Sequence, residues 1–290
     1  MKEIPYIENQ PDEEQINKQL EQLEQPEMLE LYNNVQKALS AVPAHFSSPI
    51  HIEGIDATDL YTLNTLLSSA IEVQTTRALN DMRTLWDPEG KWTMWKFQRF
   101  PASFPDTRLV NPEGEVALGV ELKGWFLLTK ESEPTCRFSV TREACASWDL
   151  LAVFPWSLDN VLSGTPILHT PFVNQARYIA DMRTYYWQHR KGTSDKNIEC
   201  PDNVHPYMEP HAKILDTARG DNANGNFGRI ARIKPLTNEW VQDTLDTYLA
   251  GIEARYWILF LKIFSEGSDS KKVADKVNKI ADSARKERHA

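Results

Sequence analysis

The chain has 290 residues, 41% apolar, 25% charged and 10% aromatic, a globular composition that excludes collagen-like, low-complexity and wholly disordered proteins. The net charge of −9 excludes a protein working by bulk positive charge. Residues 1–30 alone hold nine acids and two lysines, so the remaining body is nearly neutral and can carry local basic faces.

The longest strongly apolar run, from Tyr256 to Phe264, is broken by Lys262 and is less than half of the ~20 residues a bilayer span needs. The opening MKEIPYIENQPDEE is acidic and lacks an apolar stretch, so neither a signal peptide nor a membrane partner is expected. Three cysteines, Cys136, Cys145 and Cys200, form no CxxC pair and read as reduced thiols, which makes a cytoplasmic location the expectation.

In chain order, Glu13 to Leu23 suits a short acidic helix with Ile16, Leu20 and Leu23 on one side. Residues 28–42 suit a second helix, ended by Pro43. A longer helix follows, capped by Asp56 or Thr58, with Leu60, Leu63, Leu67, Ile71, Ala78, Met82 and Leu85 near core spacing, and Pro88 and Gly90 stop it. The period then changes: 91–100 is aromatic and β-prone, 106–111 and 116–128 read as an antiparallel hairpin, and PEGE (112–115) is its turn. A short helix is expected near Thr141 to Ala146, an apolar strand at 149–156 and a helix at 176–190. Residues 192–229 are loop-rich, one strong helix is expected from about Thr237 to Phe264, and a Lys-rich amphipathic segment follows.

This order places the chain in the α/β (α+β) class, with a mixed central β-sheet flanked by helices. The expected division is an N-terminal helical arm over 1–54, a core over 55–192, and a loop-rich and helical part over 193–290 that completes the same domain. The tryptophans at 86, 92, 95, 125, 148 and 156 are expected in the core.

The chemistry-bearing pattern lies in the hairpin. On the strand from Val116, alternate side chains share a face, so Val116, Leu118, Val120 and Leu122 point one way and Ala117, Gly119, Glu121 and Lys123 the other. The second face carries an acid and a base beside two of the smallest residues, which leaves room for a ligand or ion. Asp106, at the start of the partner strand, can reach the same face. Two carboxylates and one ammonium form a costly cluster, and a divalent cation would relieve it. Hard oxygen ligands select Mg²⁺ or Mn²⁺.

With Pro105-Asp106 followed by Glu121-Leu122-Lys123, the sequence resembles the PD-(D/E)XK nuclease superfamily, in particular type II restriction endonucleases. The resemblance covers about residues 55–190 and implies a restriction-endonuclease-like core. It implies Mg²⁺-dependent hydrolysis of phosphodiester bonds in double-stranded DNA, in a restriction-type or phage-defence enzyme acting as a homodimer. Asp106, Glu121 and the Leu122 backbone carbonyl would hold the metal, with Glu72 as a further acid from the preceding helix. Lys123 would orient the attacking water or stabilise charge on phosphorus. Alternative expectations are a DNA-repair or recombination nuclease, or a catalytically silent DNA-binding or interaction module on the same fold.

Candidate phosphate contacts are Arg99, Arg108, Lys130, Arg142, Arg183 and Arg190, the last two seven apart on one helix face. His205, Glu209 and His211 read as loop residues, because two prolines prevent a helical ligand pair. The Gly-rich GDNANGNFG (220–228) lacks the GK[ST] of a phosphate-binding loop and reads as a flexible turn.

Overall fold

The structure is a computed structural model, and it describes residues 1–54, 63–191, 195–265 and 270–287. The short strand β1 (Lys2–Glu3) leads into α1 (Glu13–Glu21), whose first turn is capped by Asp12 accepting from the Glu14 N–H. α2 (Pro26–His45) buries Leu31, Val35, Ala38, Leu39 and Val42 along one stripe. It continues two residues past Pro43, because a proline in the last turn forfeits only one hydrogen bond.

α3 (Leu63–Asp81) and the single turn α4 (Arg83–Trp86) form the next layer. The expected caps Asp56 and Thr58, and Leu60, lie outside the described residues. Ile71, Ala78 and Met82 are buried as expected, whereas Leu85 is 44% exposed and Trp86 takes the core position at its side.

Five strands run in spatial order β2 (Lys96–Arg99), β3 (Thr107–Val110), β4 (Val116–Phe126), β5 (Leu150–Leu158) and β6 (Pro166–Leu168), with β7 (Phe172–Gln175) also paired to β5. β2, β3 and β4 form an antiparallel meander, β4 and β5 are parallel, and β6 and β7 run antiparallel to β5. The chain is therefore a mixed central sheet with helices around it. Every residue of β5 is buried, as suits a strand covered on both faces. The connection between β4 and β5 carries only a 3₁₀ turn at Arg142–Ala144 in place of the expected short helix.

α5 (Ala176–His189) packs behind the sheet. The segment read as loops contains β8 (Ile198–Cys200) and β9 (Thr217–Ala218), which join β1 in a three-stranded sheet, and the single turn α6 (Ala223–Asn226). The N-terminal arm is docked: β1 pairs with β8, and the Tyr6 hydroxyl meets His189 Nε2 at 2.7 Å.

The single helix expected over 237–264 is two, α7 (Lys234–Leu245) and α8 (Ala254–Ser265), separated by the hairpin β10 (Tyr248–Leu249) and β11 (Ile252–Glu253). Ala250 and Gly251 both take positive φ (47° and 81°), the backbone of a tight two-residue hairpin turn. α9 (Ser270–Glu287) follows. Among the described residues, no helix is long and apolar enough to cross a membrane. Trp86, Trp125, Trp148 and Trp156 are buried, and all three cysteines are free.

Candidate active site

The antiparallel register of β3 and β4 pairs Thr107 with Val120, which sets Asp106 beside Glu121 one step along. The Asp106 N–H donates to Glu121 Oε2 at 3.2 Å, and the Leu122 N–H donates to Asp106 Oδ2 at 2.9 Å. Each carboxylate is thereby fastened to the other's strand. Two residues past Glu121 the pleat brings Lys123 to the same face, where Nζ lies 2.5 Å from Glu121 Oε1 and 3.8 Å from Asp106 Oδ2. The structure brings the three residues of the PD…ELK pattern together.

The cluster is short of positive charge. Burial, and then the neighbouring Glu121 carboxylate, push the Asp106 carboxyl up to about 7, against the opposing pull of Lys123 and the Leu122 N–H. Burial alone would lower Lys123, but the two acids outweigh it and hold the ammonium above its usual range. Burial raises the adjacent Cys136 thiol to about 12, so it stays protonated at neutral pH and supplies no further anion.

Gly119 is not open space. A Cβ there would stand 2.4 Å from Pro105 Cγ and 2.9 Å from Asp149 Oδ1. The small residue instead lets the Pro105 ring pack onto β4 and so sets the height of Asp106. Asp149 is the hub beneath. Its Oδ1 accepts from the Gly119 N–H (2.8 Å) and the Tyr207 hydroxyl (2.7 Å), and its Oδ2 from the Ala146 N–H (2.6 Å). Burial nonetheless raises the Asp149 carboxyl above its ordinary value.

Arg108, expected to touch phosphate, is buried instead. Its Nη2 donates to Ser103 Oγ (2.5 Å) and to the Phe104 carbonyl (2.8 Å), and the guanidinium lies over Phe100 and Tyr207. It braces the loop that delivers Asp106. Arg183 is also corrected: it is 4% exposed, donates to the Phe138 and Val140 carbonyls and is ion-paired with Asp216. A guanidinium so enclosed cannot meet a nucleic-acid backbone.

Glu72 is engaged by Arg99 at 2.8 Å rather than by the cluster. Its helix covers the face of the sheet that carries Thr107, to which Thr76 hydrogen-bonds at 2.8 Å. Arg142 is exposed and paired with Asp181 (2.9 Å), Arg190 is half-buried against Trp187, and Lys130 is exposed.

A cavity of about 270 Å³ opens beside Glu121, lined also by Ser103, Phe104, His205, Tyr207 and His211. The HPYMEPH segment is therefore a wall of the site, although among the described residues no three or more His, Cys, Asp or Glu side chains are grouped to hold a metal ion. Sequence reading missed Asp149 and Tyr207, which carry no local motif: Asp149 reaches Gly119 across 30 residues, and Tyr207 reaches Asp149 across 58.

Compared with family models, curated proteins and solved structures, the chain matches none.

Proposed function

We propose that the chain is a metal-dependent endonuclease hydrolysing phosphodiester bonds in double-stranded DNA, in a restriction-type or phage-defence role. One observation carries the reading: two carboxylates from neighbouring strands share one ammonium beside a cavity that Glu121 lines, and burial together with the neighbouring Glu121 carboxylate pushes Asp106 up to about 7. Active sites are where such perturbed acids concentrate.

The donor set fits a hard cation. Asp106, Glu121 and the Leu122 carbonyl offer oxygen only, which suits Mg²⁺, with Mn²⁺ as a substitute. Two side-chain acids suffice, because Mg²⁺ retains several of its waters. When bound, the ion would polarise the phosphoryl group and acidify an attacking water. Asp106 must lose its proton to serve as a ligand. Lys123 is held at the cluster by both acids, so its compact ammonium stands ready beside the negative charge that develops on the phosphoryl oxygens. Arg108 and Asp149 hold the two strands in place through the Phe104 carbonyl and the Gly119 N–H. A homodimer would present two such sites to the two strands of a duplex. The three free thiols support a cytoplasmic setting.

Incubation of a phage genome with the protein and Mg²⁺ tests the reading. Discrete fragments support a sequence-specific restriction enzyme, and a smear supports a non-specific or repair-type nuclease. A second reading, a silent DNA-binding module, draws on the 2.5 Å contact by which the Lys123 ammonium neutralises Glu121. Tight DNA binding with no cleavage in Mg²⁺ or Mn²⁺ would establish it.

A further inference from the structure

A second and larger cavity, of about 520 Å³, lies between the C-terminal half of α5 and the 226–233 segment, and it shares no lining residue with the cavity beside Glu121. Four arginines line it (183, 190, 229 and 232), and no Asp or Glu does. On a chain of net charge −9, this acid-free wall is a local basic face. Arg183 is neutralised by Asp216, and exposed Arg232 reaches Glu133 only at 3.7 Å. Arg190 donates to a backbone carbonyl, that of Asp221, and feels the Asp221 carboxylate only at longer range. Among the described residues, neither Arg190 nor Arg229 is paired with a carboxylate.

The wall is rich in donors and poor in acceptors. The half-buried Arg190 and Arg229 are the uncompensated cations of this wall, their Nε–H groups finding no acceptor in the protein, whereas the enclosed Arg183 is already engaged by Asp216 and two backbone carbonyls. Two guanidiniums without a carboxylate partner suit a ligand with anionic oxygens. Beside the cations stand the half-exposed rings of Tyr185 and Tyr186, 5.7 Å apart, with Tyr185 stacked on His189 at 4.0 Å. The cation over Trp187 is already in place, with the Arg190 guanidinium 3.5 Å from the ring centroid, which fixes the fork's plane. Aromatic faces take up a nucleobase, and guanidinium forks take up phosphate. A volume of this size belongs to the small-molecule class of sites.

We infer that this cavity binds a free nucleoside phosphate, its phosphate on Arg190 and Arg229 and its base against Tyr185 and Tyr186. The inference does not rest on the nuclease reading.

Calorimetric titration of the full chain in EDTA, so that no metal site contributes, tests it with AMP, GMP, CMP, adenosine, inorganic phosphate and a four-nucleotide single-stranded DNA. Binding of at least one nucleoside monophosphate in the range of about 10–100 μM is expected, with adenosine and inorganic phosphate each weaker by about tenfold or more. Arg229→Gln should weaken the monophosphate about tenfold at unchanged melting temperature, and Tyr186→Leu should do so without altering charge. Arg190→Gln supports the same conclusion if it folds, and Arg229→Gln decides the matter if it does not. No monophosphate binding at about 1 mM overturns the inference. Equal affinity in Arg229→Gln overturns it too. Binding of the oligonucleotide but of no monophosphate also overturns it, and assigns the surface to a DNA strand.

Discussion

Lys123 and Glu121 stand two positions apart on one strand and meet at 2.5 Å, so the single cation of the cluster is delivered by the pleat itself. If its value lies in the transition state, Lys123→Ala should lower the single-turnover rate roughly 10²–10³-fold while DNA affinity changes little. Lys123→Arg should also be poor, because a planar fork does not replace a compact ammonium. A purely structural lysine gives the opposite pattern, a lower melting temperature with the rate of the folded fraction intact. Both quantities are read on one preparation.

Asp106→Asn removes one of two crowded acids. Because the Asp106 carboxyl is held up at about 7, its ionisation at pH 8 disfavours the folded state, and the asparagine variant should melt higher in EDTA, by about 3–6 °C. It should also lose both DNA cleavage and the stabilisation that added Mg²⁺ gives the wild type. A variant that cuts DNA at the wild-type rate, or that is still stabilised by Mg²⁺, removes Asp106 from the metal site.

Gly119→Ala should destabilise by about 1–3 kcal/mol, since the new methyl overlaps the Pro105 ring and the Asp149 carboxylate. The displaced Pro105 carries Asp106 with it, so cleavage should fall more than stability accounts for. Urea denaturation and single-turnover kinetics on the same variant check both parts.

His169 provides a pH prediction away from the site. Burial lowers its pKa to about 4, and its Nε2 lies 2.9 Å from Ser157 Oγ. The unfolded chain takes up that proton near pH 6.5, so between about 6.5 and 4 the unfolded state binds more protons and stability falls as the pH is lowered. The loss is on the order of 2–3 kcal/mol by pH 4. The pH slope of the urea midpoint should shrink in His169→Gln, and an unchanged slope would exclude this histidine as its source.

What was legible in the sequence was local. Alternation along Val116–Phe126 and the turn at 112–115 announce the hairpin, and the hairpin's register then sets Asp106 beside Glu121. Other features were hidden because their partners are distant. Arg183 looks like a surface cation until Asp216, 33 residues on, closes over it. The split between α7 and α8 was masked because Trp240, Leu245, Leu249, Ile252 and Tyr256 keep near-helical spacing across the Ala250–Gly251 turn. In sequence Gly119 looks like vacancy, and only the folded chain shows that Pro105 and Asp149 fill it.

Asp149 ties three stretches of chain, at Gly119, Ala146 and Tyr207, to one carboxylate. Evolution cannot change these partners independently. Phenylalanine in place of Tyr207 would leave a buried, raised-pKa acid with one donor fewer, and an uncharged residue at 149 would then be the compensating change. Among natural relatives of this chain, positions 119, 149 and 207 are therefore expected to drift as a linked set, and a lineage that has relaxed one of them should have relaxed the others.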